Sequence, residues 1–279
     1  MIATPFEELA KVQMERLPAA QAQLAFWSDE RRGAPNAFLR SAFFSARKPT
    51  ARREFMEQVK LEPSKLAPAL APYTVRYTGP ELFQPDLDVW LQIVQLCRLR
   101  PLGTSTDFQV RTFLKALGSS TGKTDRSRLE LMFARLRATS FTVSWVDPMT
   151  KKHRKYISGL VDHLGFDEAT GRWRVVLDPR IAELFAPNQH TWLQASARRA
   201  LGKSYLAKWL HGYFSSHAKP HPIRVAALLE LSGSENRELR DFRRRLKAAL
   251  GEVARVETAE GRCFDWRIDN EDLVHVHRS

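Results

Sequence analysis

Arg237, Arg240, Arg244 and Lys247 recur at steps of three and four residues, the spacing that lines side chains along one face of a helix. At the same period Leu239, Phe242, Leu246, Ala249 and Leu250 fall on the opposite face, so Glu235 to Leu250 is expected to bury one side and present cations on the other. Such a face can enter the DNA major groove, where arginine pairs with two acceptors on guanine and lysine mostly meets phosphate. Asp241 could accept from cytosine N4 or hold a neighbouring arginine fork in position. Arg243 and Arg245 flank the buried side and are assigned to phosphate or intramolecular pairing. A basic helix face is more often merely solvated, but this one directly follows a short helix and a tight turn, which favours recognition.

A second, weaker constellation lies in the first half. Leu129, Met132, Phe133 and Leu136 point inward at helical spacing, leaving Lys123, Thr124, Ser127, Leu131 and Arg135 outward with Arg126 and Arg128 alongside. Leu131 could touch a thymine methyl or belong to a second packing surface. Lys151, Lys152, His153 and Arg154 lie between two strand candidates, where a wing tip would reach phosphate or the minor groove, although hairpin tips are often simply lysine-rich. Arg198, Arg199 and Lys203 precede a helix and could bind phosphate or serve as a solvated linker.

Two sharper motifs fail on inspection. Gly118 to Thr124 resembles a phosphate-binding P-loop, yet three residues separate its glycines where four are needed, and it follows a helical pattern instead of a strand. His275 and His277 share one face of a strand, but the sequence offers them no third ligand, and Cys97 and Cys263 are read as lone thiols. No catalytic residue, metal or cofactor is expected, and the chain is read as a non-enzyme.

The elements that must position these residues come in a repeated order. Residues 1–34 read as an N-terminal arm, with an amphipathic start (Phe6, Leu9, Val12, Leu17) and a polar end, expected to be partly mobile. Ala37 to Phe44 and Tyr73 to Tyr77 read as strands around a loop from Lys60 to Pro72. Helices around Leu87 to Leu99, Phe108 to Leu117 and Leu129 to Leu136 follow, then strands at Phe141 to Val146, Tyr156 to Gly165 and Trp173 to Leu177. The second half repeats the theme: Tyr205 to Phe214, Ile223 to Leu231 and Glu235 to Leu250 as helices, then Val253 to Glu257, Cys263 to Ile268 and Leu273 to His277 as strands. The expected fold is α+β, two tandem winged-helix (winged helix-turn-helix) domains over residues 35–189 and 190–279.

Composition agrees with this chemistry. The 279 residues carry a formal charge of +13, and a pI near 10.1 favours a polyanionic partner. An anionic membrane is the weaker choice, because no apolar run is long enough to span and the first residues, MIATPFEELAKVQ, carry acids where a signal peptide carries bases. A cytoplasmic protein is expected.

Ala34-Pro-Asn-Ala-Phe-Leu-Arg-Ser-Ala-Phe-Phe-Ser45, Arg76-Tyr-Thr-Gly79, Asp86-Leu-Asp-Val-Trp-Leu-Gln92 and Phe113-Leu-Lys-Ala-Leu-Gly118, in this order, resemble the TrfA family of plasmid replication initiators over nearly the whole chain from about Gln21. The resemblance implies binding to double-stranded direct-repeat iterons as a monomer, opening of an adjacent AT-rich region with single-stranded origin DNA as a further partner, recruitment of the host initiator and replicative helicase, and homodimers inactive in initiation. Gln23-Leu24-Ala-Phe26-Trp27 is similar to the segment with which family members engage the sliding clamp, but Phe26 and Trp27 replace Leu and Phe, and the same side chains could equally pack on the first domain. A transcriptional repressor built from the same modules, or a metal-dependent origin-nicking enzyme, are the alternatives.

Overall fold

A computed structural model describes residues 23–24, 27–49, 55–61, 74–146, 151–236 and 238–279. In chain order the elements are β1 (Arg31–Pro35), α1 (Asn36–Leu39), a 3-10 turn (Ala42–Phe44), β2 (Phe55–Leu61), β3 (Thr74–Pro80), α2 (Gln84–Cys97), β4 (Thr106–Phe108), α3 (Val110–Ala116), α4 (Lys123–Arg137), β5 (Ser140–Val146), β6 (His153–Gly159), β7 (His163–Asp167), β8 (Arg172–Val176), a 3-10 helix (Pro179–Phe185) and β9 (His190–Gln194). They continue as α5 (Ala195–Ala200), α6 (Tyr205–Ser215), β10 (Ile223–Arg224), α7 (Val225–Leu231), α8 (Leu239–Ala259), β11 (Phe264–Ile268) and β12 (Leu273–Arg278). The architecture is mixed α and β.

Two hydrophobic cores organise it. The first gathers Leu24, Trp27, Phe38, Phe43, Phe44, Trp90, Phe133, Phe141 and Leu193 among others, with Phe38 meeting Trp90 edge-on at 5.3 Å between ring centres. The second runs from Ala197 through Trp209, Phe214, Leu228, Phe242, Leu246 and Leu250 to Val276. In each unit a helix, a short strand and two further helices pack on a three-stranded antiparallel sheet of the same order, β4-β8-β7 in the first and β10-β12-β11 in the second. The first unit adds a four-stranded sheet, β2-β3-β5-β6. The units touch closely at Gly233, whose positive φ of 61° ends α7, and where an added Cβ would lie 2.9 Å from Ala42 Cβ.

Several expectations are corrected. Ala37 to Phe44 is a helical turn and a 3-10 turn instead of a strand, because Pro35 delivers the chain into a pocket that buries Ala37, Phe38, Leu39, Phe43 and Phe44 together and leaves no alternation to read. Tyr156 to Gly165 divides into β6 and β7 at the buried Leu160 and Val161. Val253 to Glu257 continues α8 as helix, since Val253 and Val256 extend the stripe begun by Leu246 and Leu250, and the helix stops only before Gly261. That helix begins at Leu239, not at Glu235. The arm is also more than an appendage: Leu24 and Trp27 lie in the first core, and β1 pairs antiparallel with β9 from Arg31↔Gln194 to Pro35↔His190. The expected boundary at 189/190 therefore cuts through a strand pair whose Leu193 belongs to the first core. Lys60, expected to open the loop, belongs to β2, and the amphipathic start, Phe26, residues 62–72 of the expected loop, Tyr73 at the start of the next expected strand, and Arg237 lie outside the described residues.

Candidate nucleic-acid interface

The strongest candidate surface is the first half of α8. Phe242, Leu246, Ala249 and Leu250 are buried, which fixes the helix rotation and forces Arg240, Asp241, Arg244 and Lys247 to the outside. Arg244 is 80% exposed and its Nη2 lies 3.6 Å from Asp241 Oδ1, so the pair is loose and in solvent and leaves the arginine fork available. Arg243 turns aside to an ion pair with Asp272 in the β11–β12 turn, the intramolecular one of its two assigned roles, and Arg245 stays exposed. Leu239, expected on the inner stripe, is 38% exposed because it opens the helix above the core.

The second candidate is α4, which follows α3 across the loop containing Gly118 (φ 73°). This loop joins two helices, which is incompatible with a strand-to-helix P-loop. Lys123, Thr124, Arg126, Ser127 and Arg128 are exposed on its first turns, and Leu131 is 50% exposed beside them. Arg126 is tied through Nε to the Thr121 carbonyl at 3.1 Å, and Arg128 reaches Asp125 at 3.4 Å.

Arg135 is a correction. It is buried and donates from Nε to Asp86 Oδ1 at 2.9 Å, while Asp86 is itself fully buried and accepts from the Phe83 backbone N–H at 2.9 Å at the start of α2. A charge so paired holds α4 onto α2 and is not available to a ligand.

Arg198 is another. Its guanidinium is buried, with Nε 2.6 Å from Asp88 Oδ1 and Nη2 3.1 Å from Gln84 Oε1, and Lys208 Nζ reaches the other Asp88 oxygen at 2.6 Å. Burial alone would raise the Asp88 pKa, but the Arg198 and Lys208 charges and hydrogen bonds outweigh it and hold the carboxyl below its ordinary value. Arg199 and Lys203 remain exposed. The cleft between the units thus collects Arg32, Arg198, Arg199 and Lys208 around Asp88. Arg32, which the sequence reading passed over, has its pKa lowered to about 10, first by burial and then by Arg199 and Arg98.

The hairpins are placed differently from expectation. Lys151, Lys152 and Arg154 are exposed on the β5–β6 hairpin, but that hairpin belongs to the four-stranded sheet. The hairpin in the sheet beside α4 is β7–β8, whose turn at residues 168–171 is followed by Arg172 and by Arg174, the latter paired with Asp107 at 2.8 Å. The corresponding β11–β12 turn carries Asp269, Glu271 and Asp272, an acidic tip that repels phosphate.

Within the Gln23 to Trp27 segment, Leu24 and Trp27 pack on the first unit. Both are buried, Trp27 meets Trp192 in a tilted contact with ring centres 4.9 Å apart, and its indole N–H donates to Gln95 Oε1 at 2.6 Å. Gln23 is exposed. Near the chain end, pairing of β11 with β12 sets Asp265 opposite His277, and Cys263 joins them. Sequence reasoning missed this trio because the strand turn separates its members. Among the described residues no helix is long and apolar enough to cross a membrane.

The model of the family described as TrfA protein matches residues 4–278. The chain belongs to the TrfA family. It is 27% identical over 275 residues to the plasmid replication initiator protein TrfA of Escherichia coli, covering 96% of this chain and 67% of that protein. It is 28% identical over 158 residues to RepFIB replication protein A of Escherichia coli, covering 55% of this chain and 49% of that relative, so the match spans about half of the RepFIB protein's length. The fold is similar to domains 2 and 3 of RctB, with a TM-score of 0.57 at 13% identity over 88% of this chain and 98% of that one.

Proposed function

We propose that this chain is a plasmid DNA replication initiator whose two units are winged helix-turn-helix modules, with α4 and α8 entering successive major grooves of direct-repeat iterons. The observation that carries this reading is the outer face of α8, where Arg240, Arg244 and Lys247 stand in solvent on a helix whose inner stripe is locked into a core. Family membership supports the same assignment. Linking two modules raises the effective concentration of each for its half of a repeat, so a monomer can read an asymmetric site. Exposed Arg126, Arg128, Arg199 and Lys203 supply phosphate contacts, whereas the acidic β11–β12 tip keeps the second hairpin off the backbone. Several bound copies then strain an adjacent AT-rich region and open it, with single-stranded DNA, the host initiator and the replicative helicase as later partners, and homodimers as the inactive form.

Contact with the sliding clamp through residues 23–27 requires Leu24 and Trp27 to leave the first core, so the clamp competes with intramolecular packing. The initiator works as a binding protein in the cytoplasm and catalyses no reaction.

Footprinting on a cognate plasmid tests the reading. Protection repeating over tandem sites is expected, and protection of one promoter palindrome would make the chain a repressor instead. Nicked circles accumulating from supercoiled origin plasmid with manganese would overturn the non-catalytic assignment.

A further inference from the structure

Antiparallel pairing of β11 with β12 places Asp265 directly across from His277, and Cys263, two residues before Asp265, falls on the same side of the sheet. The inner side is occupied by Phe264, Val274 and Val276, which are buried in the second core, so the three donors are turned to solvent. Cys263 Sγ is 3.3 Å from Asp265 Oδ2 and 3.8 Å from His277 Nδ1, and one ligand atom from each residue lies within 4.8 Å of the other two.

From these distances we infer that Cys263, Asp265 and His277 form a binding site for a divalent transition-metal ion of the zinc type, unconnected with the DNA-reading faces. A tetrahedral ion with metal–sulfur bonds of about 2.3 Å and metal–nitrogen or metal–oxygen bonds of about 2.0–2.1 Å holds neighbouring ligand atoms about 3.5 Å apart. The two Cys263 separations bracket that edge and the third lies within 4.8 Å, so side-chain rotation can close the three donors on an ion. The donor set is a soft thiolate, an imidazole and one carboxylate, which selects zinc-like ions over magnesium or calcium, whose sites are built from oxygens. His275, on the same strand face, is already engaged with Asp269 at 2.7 Å and does not compete. Three protein ligands leave a fourth position for water. The ion would clasp the strand entered directly from α8 to the last strand of the unit, at the end of the hairpin away from the acidic turn.

Cobalt(II) titration of the full chain tests this. The expected result is a thiolate-to-cobalt charge-transfer band with the visible bands of tetrahedral cobalt, saturating at one ion per chain and displaced by zinc. Cys263→Ser should abolish the charge-transfer band, Cys97→Ser should leave it unchanged, and His277→Ala and Asp265→Ala should each weaken binding at least tenfold. Because Cys263 and the two exposed partners lie outside the core, the variants' circular dichroism should match the parent's. Absence of the band in the parent, or its persistence in Cys263→Ser, would overturn the inference, and neither result bears on DNA recognition.

Discussion

Arg198 donates from Nε to Asp88 at 2.6 Å across the junction of the two units, while Lys208 takes the second carboxylate oxygen at the same distance. One carboxylate on α2 thereby anchors two cations from α5 and α6. Asp88→Asn leaves both cations largely buried without a counter-charge, and removing one partner of such a cluster costs about 3–5 kcal/mol. Urea unfolding should show a loss of that size, and a loss below about 1 kcal/mol would mean that the cluster does not join the units.

Arg135 and Leu131 lie one turn apart on α4 but differ in burial: Arg135 is enclosed against α2, and Leu131 is half exposed. Arg135→Ala strands the fully buried Asp86 and should cost about 3–5 kcal/mol in unfolding experiments. Leu131→Ala, at a half-exposed position, should change stability by no more than about 0.5 kcal/mol while lowering affinity for cognate DNA. Equal stability losses would remove the distinction between a packing residue and a reading residue.

On α8, Arg240→Ala and Arg244→Ala should each cost about 1–3 kcal/mol of specific binding and relax base preference at one position, whereas Lys247→Ala should weaken cognate and scrambled DNA alike and shallow the salt dependence by about one counterion. Competition binding at several salt concentrations separates these outcomes. If both arginine variants behave like the parent on both DNAs, α8 does not read bases.

His211 and Glu257 make the second unit sensitive to acid. Burial lowers the His211 pKa from its ordinary 6.5, Glu257 acting in the opposite sense. Its Nδ1 is buried with no hydrogen-bond partner, so charging the ring would add an unsatisfied N–H. Burial by itself would raise the Glu257 pKa, but hydrogen bonds from His211 and Arg262 and their charges bring it from 4.5 down to about 2. As pH falls below about 6.5 the unfolded chain takes up a proton at His211 that the folded chain refuses, so stability drops; Glu257 adds a further loss between about 4.5 and 2. The urea midpoint should fall between pH 7.5 and pH 5, and His211→Gln, which still donates to Glu257, should flatten that interval.

The sequence made α8 and its rotation legible, because Phe242, Leu246 and Leu250 mark the inner stripe without help from the rest of the chain. Its length was not legible, since Val253, Arg255 and Glu257 read equally well as an alternating strand until Val256 is seen facing the core. Arg135 and Arg198 were assigned to DNA because their carboxylate partners, Asp86 and Asp88, lie far away in sequence, and a cation's local context carries no trace of such a partner. The hairpin beside α4 was mislocated for a related reason: basic residues at 151–154 outweigh the turn at 168–171 in composition, whereas sheet membership depends on pairing with β4, which no local pattern encodes.

The pairing of Arg31–Pro35 with His190–Gln194 also constrains synthesis of the protein. β1 has its hydrogen-bonding partner only after the residues between Pro35 and His190 have also left the ribosome. The nascent first unit carries an open edge through most of its own translation, and that edge closes just as the polypeptide of the second unit begins to emerge.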